Sequence, residues 1–383
     1  MDPQEHLQKT KSWLEERYRQ GVAEGQYLAH RPIYGFGHGP TERNHTARMA
    51  LALAILRVLN RLDARTLVDL GGGEGYVAAL ARDVLGYDPL LVELPDAACE
   101  RARELFGMPA ASLDIHNLPW EDNSIDVVLL SEVVEHLNDP FRALAEAFRV
   151  ARKALIVTTG EAVPWEWERT ARLKLREVDR AHAELTIFHK RDFIAAFGTK
   201  VRFLNPCLIY PLEDETVISE EQARRLVPRL AESRPYGPGS LGFLALILKD
   251  ENALRSEERV KDAAVIEGLF RFSVPVPNVS RAAEVKWPEW IRERTANEEN
   301  TKRDPYDPLS AKWSDSDRRH LQKLFALRDR HESPSGGQRL RAKITLACAA
   351  GLRLLLAPGN PFGKLAWVIR HLRGRYMRKV LSG

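Results

Sequence analysis

The chain is poor in cysteine: Cys99, Cys207 and Cys348 are the only three in 383 residues, and they lie far apart. No Cys-x-x-Cys pair exists, which argues against a disulfide framework or a zinc knuckle and is the usage expected in a reducing compartment. Also missing is an apolar run of about 18 residues, so no conventional membrane-spanning helix is expected. The opening Met1-Asp-Pro-Gln-Glu-His6 has neither the basic start nor the apolar stretch of a secretory signal, and a cytoplasmic location is the expectation. No internal repeat is present. Acidic residues stop at Glu332, whereas ten Lys and Arg follow it, so the modest net charge of +4 conceals a tail of one sign. What is present is otherwise ordinary for a soluble globular protein, with 44% hydrophobic and 29% charged residues.

The most informative stretch is Thr66-Leu-Val-Asp-Leu-Gly-Gly-Gly-Glu-Gly75. Leu67, Val68 and Leu70 read as a buried parallel strand, and Tyr76 to Leu85 has the apolar spacing of a helix that Gly86 ends. The glycines therefore sit at a strand-to-helix turn, where side chains would block a ligand and the helix start offers free N–H groups. A Walker loop is excluded, because no Gly-Lys-Ser/Thr comes after the glycines. The dinucleotide fingerprint fails from Gly71, where the sixth position is Tyr76, and from Gly72, where the third is Glu74. From Gly73 it survives only in the weaker form ending in Ala78.

Asp69-x-Gly71-x-Gly73-x-Gly75 fits better, and it resembles motif I of the class I S-adenosylmethionine-dependent methyltransferases. Three further segments come in the family's order. Pro89-Leu-Leu-Val-Glu93 ends a second strand in an acid suited to ribose hydroxyls, Ser112-Leu-Asp114-Ile115-His116 offers a polar group and an apolar one for adenine, and Asp126 to Ser131 with Glu132-x-x-Glu135-His136-Leu is similar to the fourth strand and the helix start after it. Lys153 to Thr159 reads as the fifth strand, Val201 to Tyr210 as the sixth and Leu241 to Leu248 as the seventh. The resemblance, which spans residues 60 to 250, implies an α/β fold: a Rossmann-like seven-stranded methyltransferase sheet with a helical N-terminal lid and a helical C-terminal extension. It implies S-adenosyl-L-methionine as cofactor, with Asp69, Gly71, Gly73 and Gly75 around the methionyl part, Glu93 on the ribose, Asp114 and Ile115 at the adenine and Ser131 on the sulfonium side.

Methyl transfer is mostly positioning, but an oxygen nucleophile also needs a base. His136 past the fourth strand, His30 or His38 on the lid, and His182 or His189 after the fifth strand are the candidates, each against the alternative of a hydrogen-bonded structural histidine. If residues 132 to 136 are helical, Glu132, Glu135 and His136 share a face and could take a divalent cation. This trio resembles the metal set of ubiquinone-pathway O-methyltransferases and of small-RNA terminal 2′-O-methyltransferases. Because the same pattern also occurs without metal, no metal site is expected. The acceptor is expected to be a hydroxyl on a small molecule or glycan. A C-methyltransferase acting on a quinone- or polyketide-type acceptor and an inactive cofactor-binding scaffold stand as alternatives.

The expected organisation is a helical N-terminal lid over 1–62, a methyltransferase domain over 63–250, a helical and extended wrap over 251–336 and a basic amphipathic tail over 337–383. Within these, helices are expected at 4–20, Thr41 to Leu62, Phe188 to Phe197 and Ala253 to Phe272. Another should begin near Ser314-x-x-Asp317 and present Leu321, Leu324, Phe325 and Leu327. Residues 160–184, with Trp165 and Trp167, read as a second lid. The tail places apolar residues beside Arg and Lys, the pattern of a helix lying on an anionic membrane, against a helical hairpin packed on the core. Few aromatics interleave its charges, which disfavours nucleic acid.

Overall fold

The computed structural model describes residues 3–20, 41–160, 183–206, 217–232, 242–272, 288–292, 315–332 and 336–355. Its centre is a seven-stranded sheet of β2 (Thr66–Leu70), β3 (Asp88–Glu93), β4 (Ala110–Ser112), β5 (Ile125–Ser131), β6 (Ala151–Gly160), β7 (Val201–Leu204) and β9 (Gly242–Leu248), in the order β4-β3-β2-β5-β6-β9-β7. The strands β2 to β6 run parallel, and β9 is antiparallel to both β6 and β7. The chain steps outward from β2 to β3 and β4 on one side, then returns to lay β5 on the other. This reversal opens a crevice at the carboxyl ends of β2 and β5, the place where doubly wound sheets bind ligands.

Alternation along each strand builds the two layers. Leu67, Leu91, Val127, Leu129, Ile156 and Leu246 face one apolar cluster, while Val68, Leu90, Val92, Val128, Leu155 and Ile247 face the other. Helices α2 (Arg43–Leu59) and α3 (Tyr76–Leu85) cover the first face, with α7 (Glu220–Ala231) and α8 (Asp262–Arg271) packed on α2. Helices α5 (Pro140–Val150), α6 (Lys190–Phe197) and α10 (Asp315–Glu332) cover the second, and the short α9 (Glu289–Arg292) adds Ile291 to it. On α10, Leu321, Leu324 and Leu327 are buried, and the His320 ring nitrogen lies 2.8 Å from the Ala196 carbonyl on α6. The part of the wrap that reaches α10 thus completes the core.

Several expected elements differ. Helix α2 starts only at Arg43, because Thr41 and Glu42 form β1, paired antiparallel with β8 (Val217–Ile218). Helix α8 starts at Asp262 and not at Ala253, since Ala253 ends a 3-10 turn and Arg259 sits in a non-helical bend where its guanidinium donates to the carbonyls of Leu85, Leu62 and Ala64. Residues 134–136 form one 3-10 turn, and the next α-helix begins at Pro140, where the Asp139 carboxylate accepts the Arg142 N–H at 3.0 Å. The second lid at 160–184 lies almost wholly outside the described residues, as do residues 356–383 of the tail.

Candidate functional site

The glycine loop leaves β2 at the mouth of the crevice. Gly71 has φ +77°, and a methyl group on it would lie 2.6 Å from a Val133 methyl, so both its backbone conformation and its neighbour require glycine. At Gly72 an added carbon would fall 2.4 Å from the Asp69 carboxylate, which fills the space under the loop. Glu74 is buried and pairs with Arg48 of α2 at 3.2 Å, and Gly75, in the left-handed conformation, starts α3. The loop is thus held from both sides with its backbone brought close to the crevice.

Two buried carboxylates line it. Glu93, at the end of β3, accepts the Gly73 N–H at 2.8 Å and the Leu94 N–H at 3.0 Å, which fixes its orientation. Asp69 is 1% exposed, and neither of its oxygens has a hydrogen-bond partner among the described residues. Burial first, and then the Glu93 charge, lifts Asp69 to about 7. Burial also lifts Glu93 to about 7, although its two N–H partners pull the other way. A buried carboxylate left without donors beside a second one is a fitting receptor for a cationic, hydroxyl-bearing ligand, and S-adenosylmethionine carries an ammonium, a sulfonium and ribose hydroxyls. The residues present therefore fit that cofactor.

A pH dependence arises from these shifts. Both acids bind their protons more tightly folded than unfolded, so the ligand-free protein gains stability from them below about pH 4 and loses it as pH rises to about 7. A cationic ligand favours the ionised forms. Its affinity is expected to rise between about pH 6 and pH 8, by up to about tenfold per pH unit for each proton released, and then to level. Calorimetric titrations across that range check this, and a flat profile would contradict it.

Asp114 sits two residues beyond β4, where its Oδ1 accepts the His116 N–H at 3.0 Å and lies 2.6 Å from His116 Nδ1. Burial would raise its pKa, but these bonds from His116 prevail and hold it below the usual range. Ile115 beside it is buried. Ser131 ends β5 with its hydroxyl 3.0 Å from the Thr158 hydroxyl on β6. Next to it Glu132 has φ +56°, a strained conformation for a non-glycine residue. Its N–H donates to the Thr158 carbonyl at 3.0 Å, which fixes the bend that swings Val133 onto Gly71.

The proposed cation trio loses the geometry it was argued from. With Glu132 left-handed and Val134–His136 in a 3-10 turn, the three do not share an α-helix face, and among the described residues no group of three or more His, Cys, Asp or Glu could hold a metal ion. Glu132 instead accepts the Thr158 hydroxyl, and Glu135 that of Thr159, each at 3.0 Å. Burial first, then the Glu135 charge, raises the Glu132 pKa. His136 lies at the crevice end of β5, its Nε2 4.0 Å from Glu135 Oε1. His189 precedes α6, where its backbone N–H donates to Asp192. His30, His38 and His182 fall outside the described residues.

Sequence reasoning missed Tyr18. It lies on α1 (Pro3–Gln20), fully 55 positions before Gly73, yet its hydroxyl would be 3.1 Å from a methyl group placed on Gly73. Helix α1 packs on α4 (Asp96–Phe106) through Leu14 and Tyr18 against Ala97 and Ala98, and the Glu15 carboxylate accepts the Ala97 N–H at 3.1 Å. Burial, then the charges of Glu93 and Glu74, raises the Tyr18 phenol well above its ordinary value, which keeps it a neutral donor over the loop. Only the aromatic at the end of an amphipathic helix hinted at this.

Comparison with known proteins agrees with this geometry. Residues 68–157 match the model of a methyltransferase domain, from β2 through most of β6. The chain is 38% identical over 114 residues to an uncharacterized 37.1 kDa protein in transposon TN4556 of Streptomyces fradiae, covering 27% of this chain and 33% of that protein. It is 40% identical over 95 residues to an uncharacterized methyltransferase of Mycobacterium sp. (strain KMS), covering 23% of this chain and 35% of the relative. To a probable S-adenosylmethionine-dependent methyltransferase of Mycolicibacterium smegmatis it is 35% identical over 102 residues, covering 25% and 37%. The chain thus spans about a third of the length of these relatives. Among solved structures, a SAM-dependent methyltransferase from Thermotoga maritima aligns at 20% identity with a TM-score of 0.39 over 54% of this chain and 92% of that one, too distant to add to the argument. Residues 68–157 thus form a methyltransferase domain, and its glycine loop and sheet order are those that the resemblance to class I S-adenosylmethionine-dependent methyltransferases implies.

Proposed function

We propose that the chain transfers the methyl group of S-adenosylmethionine to a hydroxyl of a small molecule or glycan. The observation that carries the cofactor half is Asp69, a carboxylate buried without a donor among the described residues, beneath a loop that a side chain would fill. Asp69 and the loop would hold the methionyl part, Glu93 the ribose, and Asp114 with Ile115 the adenine. The bound cofactor supplies an already activated methyl group, so the protein's work is to align the acceptor and accept its proton. His136 supports the oxygen reading: it stands where the crevice opens, with the buried Glu135 carboxylate beside it to favour the imidazolium that forms on proton uptake.

The test is turnover. Purified protein incubated with methyl-labelled cofactor and fractionated cell extract should label a product whose new methyl group is an ether. A carbon-bound methyl would support the quinone- or polyketide-type alternative. Cofactor binding with no labelled product in any fraction would favour the scaffold, and activity abolished by chelator and restored by a divalent cation would return the Glu132 cluster to a metal role.

A further inference from the structure

Helix α11 (Gly336–Leu355) opens the stretch beyond Glu332, which carries ten Lys and Arg and no acid. Ala342 is buried and Thr345 and Leu346 are half-buried, which marks the side turned toward the protein. On the opposite side Leu340 is 60% and Ile344 54% exposed. Two positions four apart share one helix face, and the helical period returns to that stripe at Ala347, which is also exposed. Arg341 stands at one edge of the stripe and Arg339 and Lys343 along the other, all three exposed.

An apolar ridge edged on both sides by cations, with no acid nearby in sequence, has a narrow set of partners. A second copy would set cations against cations. A nucleic acid would engage the charges and leave Leu340 and Ile344 in water. An anionic lipid surface satisfies both: the ridge enters the acyl boundary while the long basic side chains reach phosphate. With no helix among the described residues long and apolar enough to cross a membrane, the contact would be interfacial. We propose that α11 docks the protein on anionic bilayers through Leu340 and Ile344, with Arg339, Arg341 and Lys343 on the lipid phosphates. This inference is independent of the acceptor assignment.

Sedimentation with vesicles tests it. The full chain should pellet with phosphatidylcholine vesicles that contain phosphatidylglycerol, stay free with phosphatidylcholine alone, and be released as salt is raised. Arg341→Gln should lower the partition about fivefold, the worth of one cation near such a surface. Leu340→Asp combined with Ile344→Asp should abolish binding with the cofactor affinity and melting temperature unchanged, since both side chains are exposed. Failure to bind anionic vesicles at low salt would overturn the proposal. So would a wild-type dimer in sedimentation velocity that the double variant dissolves, because the stripe would then belong to a second copy.

Discussion

Glu93→Ala is expected to weaken S-adenosylmethionine binding by roughly ten- to a hundredfold, the loss of about 1.5–3 kcal/mol for a charge-assisted pair of hydrogen bonds. The carboxylate is fixed at the end of β3 by the Gly73 and Leu94 N–H groups, so its remaining lone pairs are presented without further ordering. Removing it also frees the Gly73 amide and loosens the loop over which the cofactor would lie. Glu93→Gln is informative beside it, because an amide nitrogen would face one of the two backbone N–H donors and the variant should recover little. Stability moves the other way. Because Glu93 is held at about 7 by burial, its ionised form is a burden above that pH, and the ligand-free alanine variant should melt no lower than the parent at about pH 8. Unchanged affinity in calorimetry would remove Glu93 from the site.

Arg149→Ala should cost stability on a larger scale and leave the chemistry of the crevice alone. Arg149, at the end of α5, makes a two-pronged pair with the Glu146 carboxylate at 2.8 Å on each prong, and donates to the Trp120 carbonyl at 2.6 Å, the Leu118 carbonyl at 2.9 Å and Asp122 at 3.0 Å. Glu146 is 2% exposed and its second donor, the Leu118 N–H, cannot balance a full charge alone. Breaking such a pair leaves an uncompensated charge and two buried carbonyls, which costs about 3–5 kcal/mol. In a protein of 383 residues that is roughly 4–6 °C in melting temperature. Arg149→Lys keeps the charge and loses the fork, so it should recover only part. Combining Arg149→Met with Glu146→Leu should restore part of the loss, since the stranded charge is gone while the Trp120 and Leu118 carbonyls stay unpaired. A melting temperature unaffected by Arg149→Ala would show that water reaches this network.

The parts of the fold legible in sequence are those written locally. Gly71, Gly73 and Gly75 announce a turn because no other residue fits there, and the apolar runs at Leu67–Leu70, Leu90–Val92 and Val127–Leu130 announce strands buried on both faces. Leu321, Leu324 and Leu327 carry the period of a helix that must bury one face, and α10 does so. What sequence could not give is what distant segments impose on one another. Tyr18 reaches the glycine loop only because α1 rests on α4, and Thr41 and Glu42 leave helix for strand only because Val217 and Ile218 lie alongside. Glu132 to His136 has a pattern that suits a helix, yet the two bonds from its N–H to Thr158 hold Glu132 left-handed and limit Val134 to His136 to one 3-10 turn. The same bend carries Val133 onto Gly71 and so shapes the crevice, which no reading of spacing along the chain would show.

Whether the crevice is a cofactor site is decided by calorimetric titration of the purified full chain with S-adenosylmethionine, and then with its demethylated product. Both should bind saturably at one site per chain, tightening from about pH 6 to pH 8 as Asp69 and Glu93 ionise. No binding of either molecule to folded protein at about pH 8 would refute the assignment of this crevice to the cofactor.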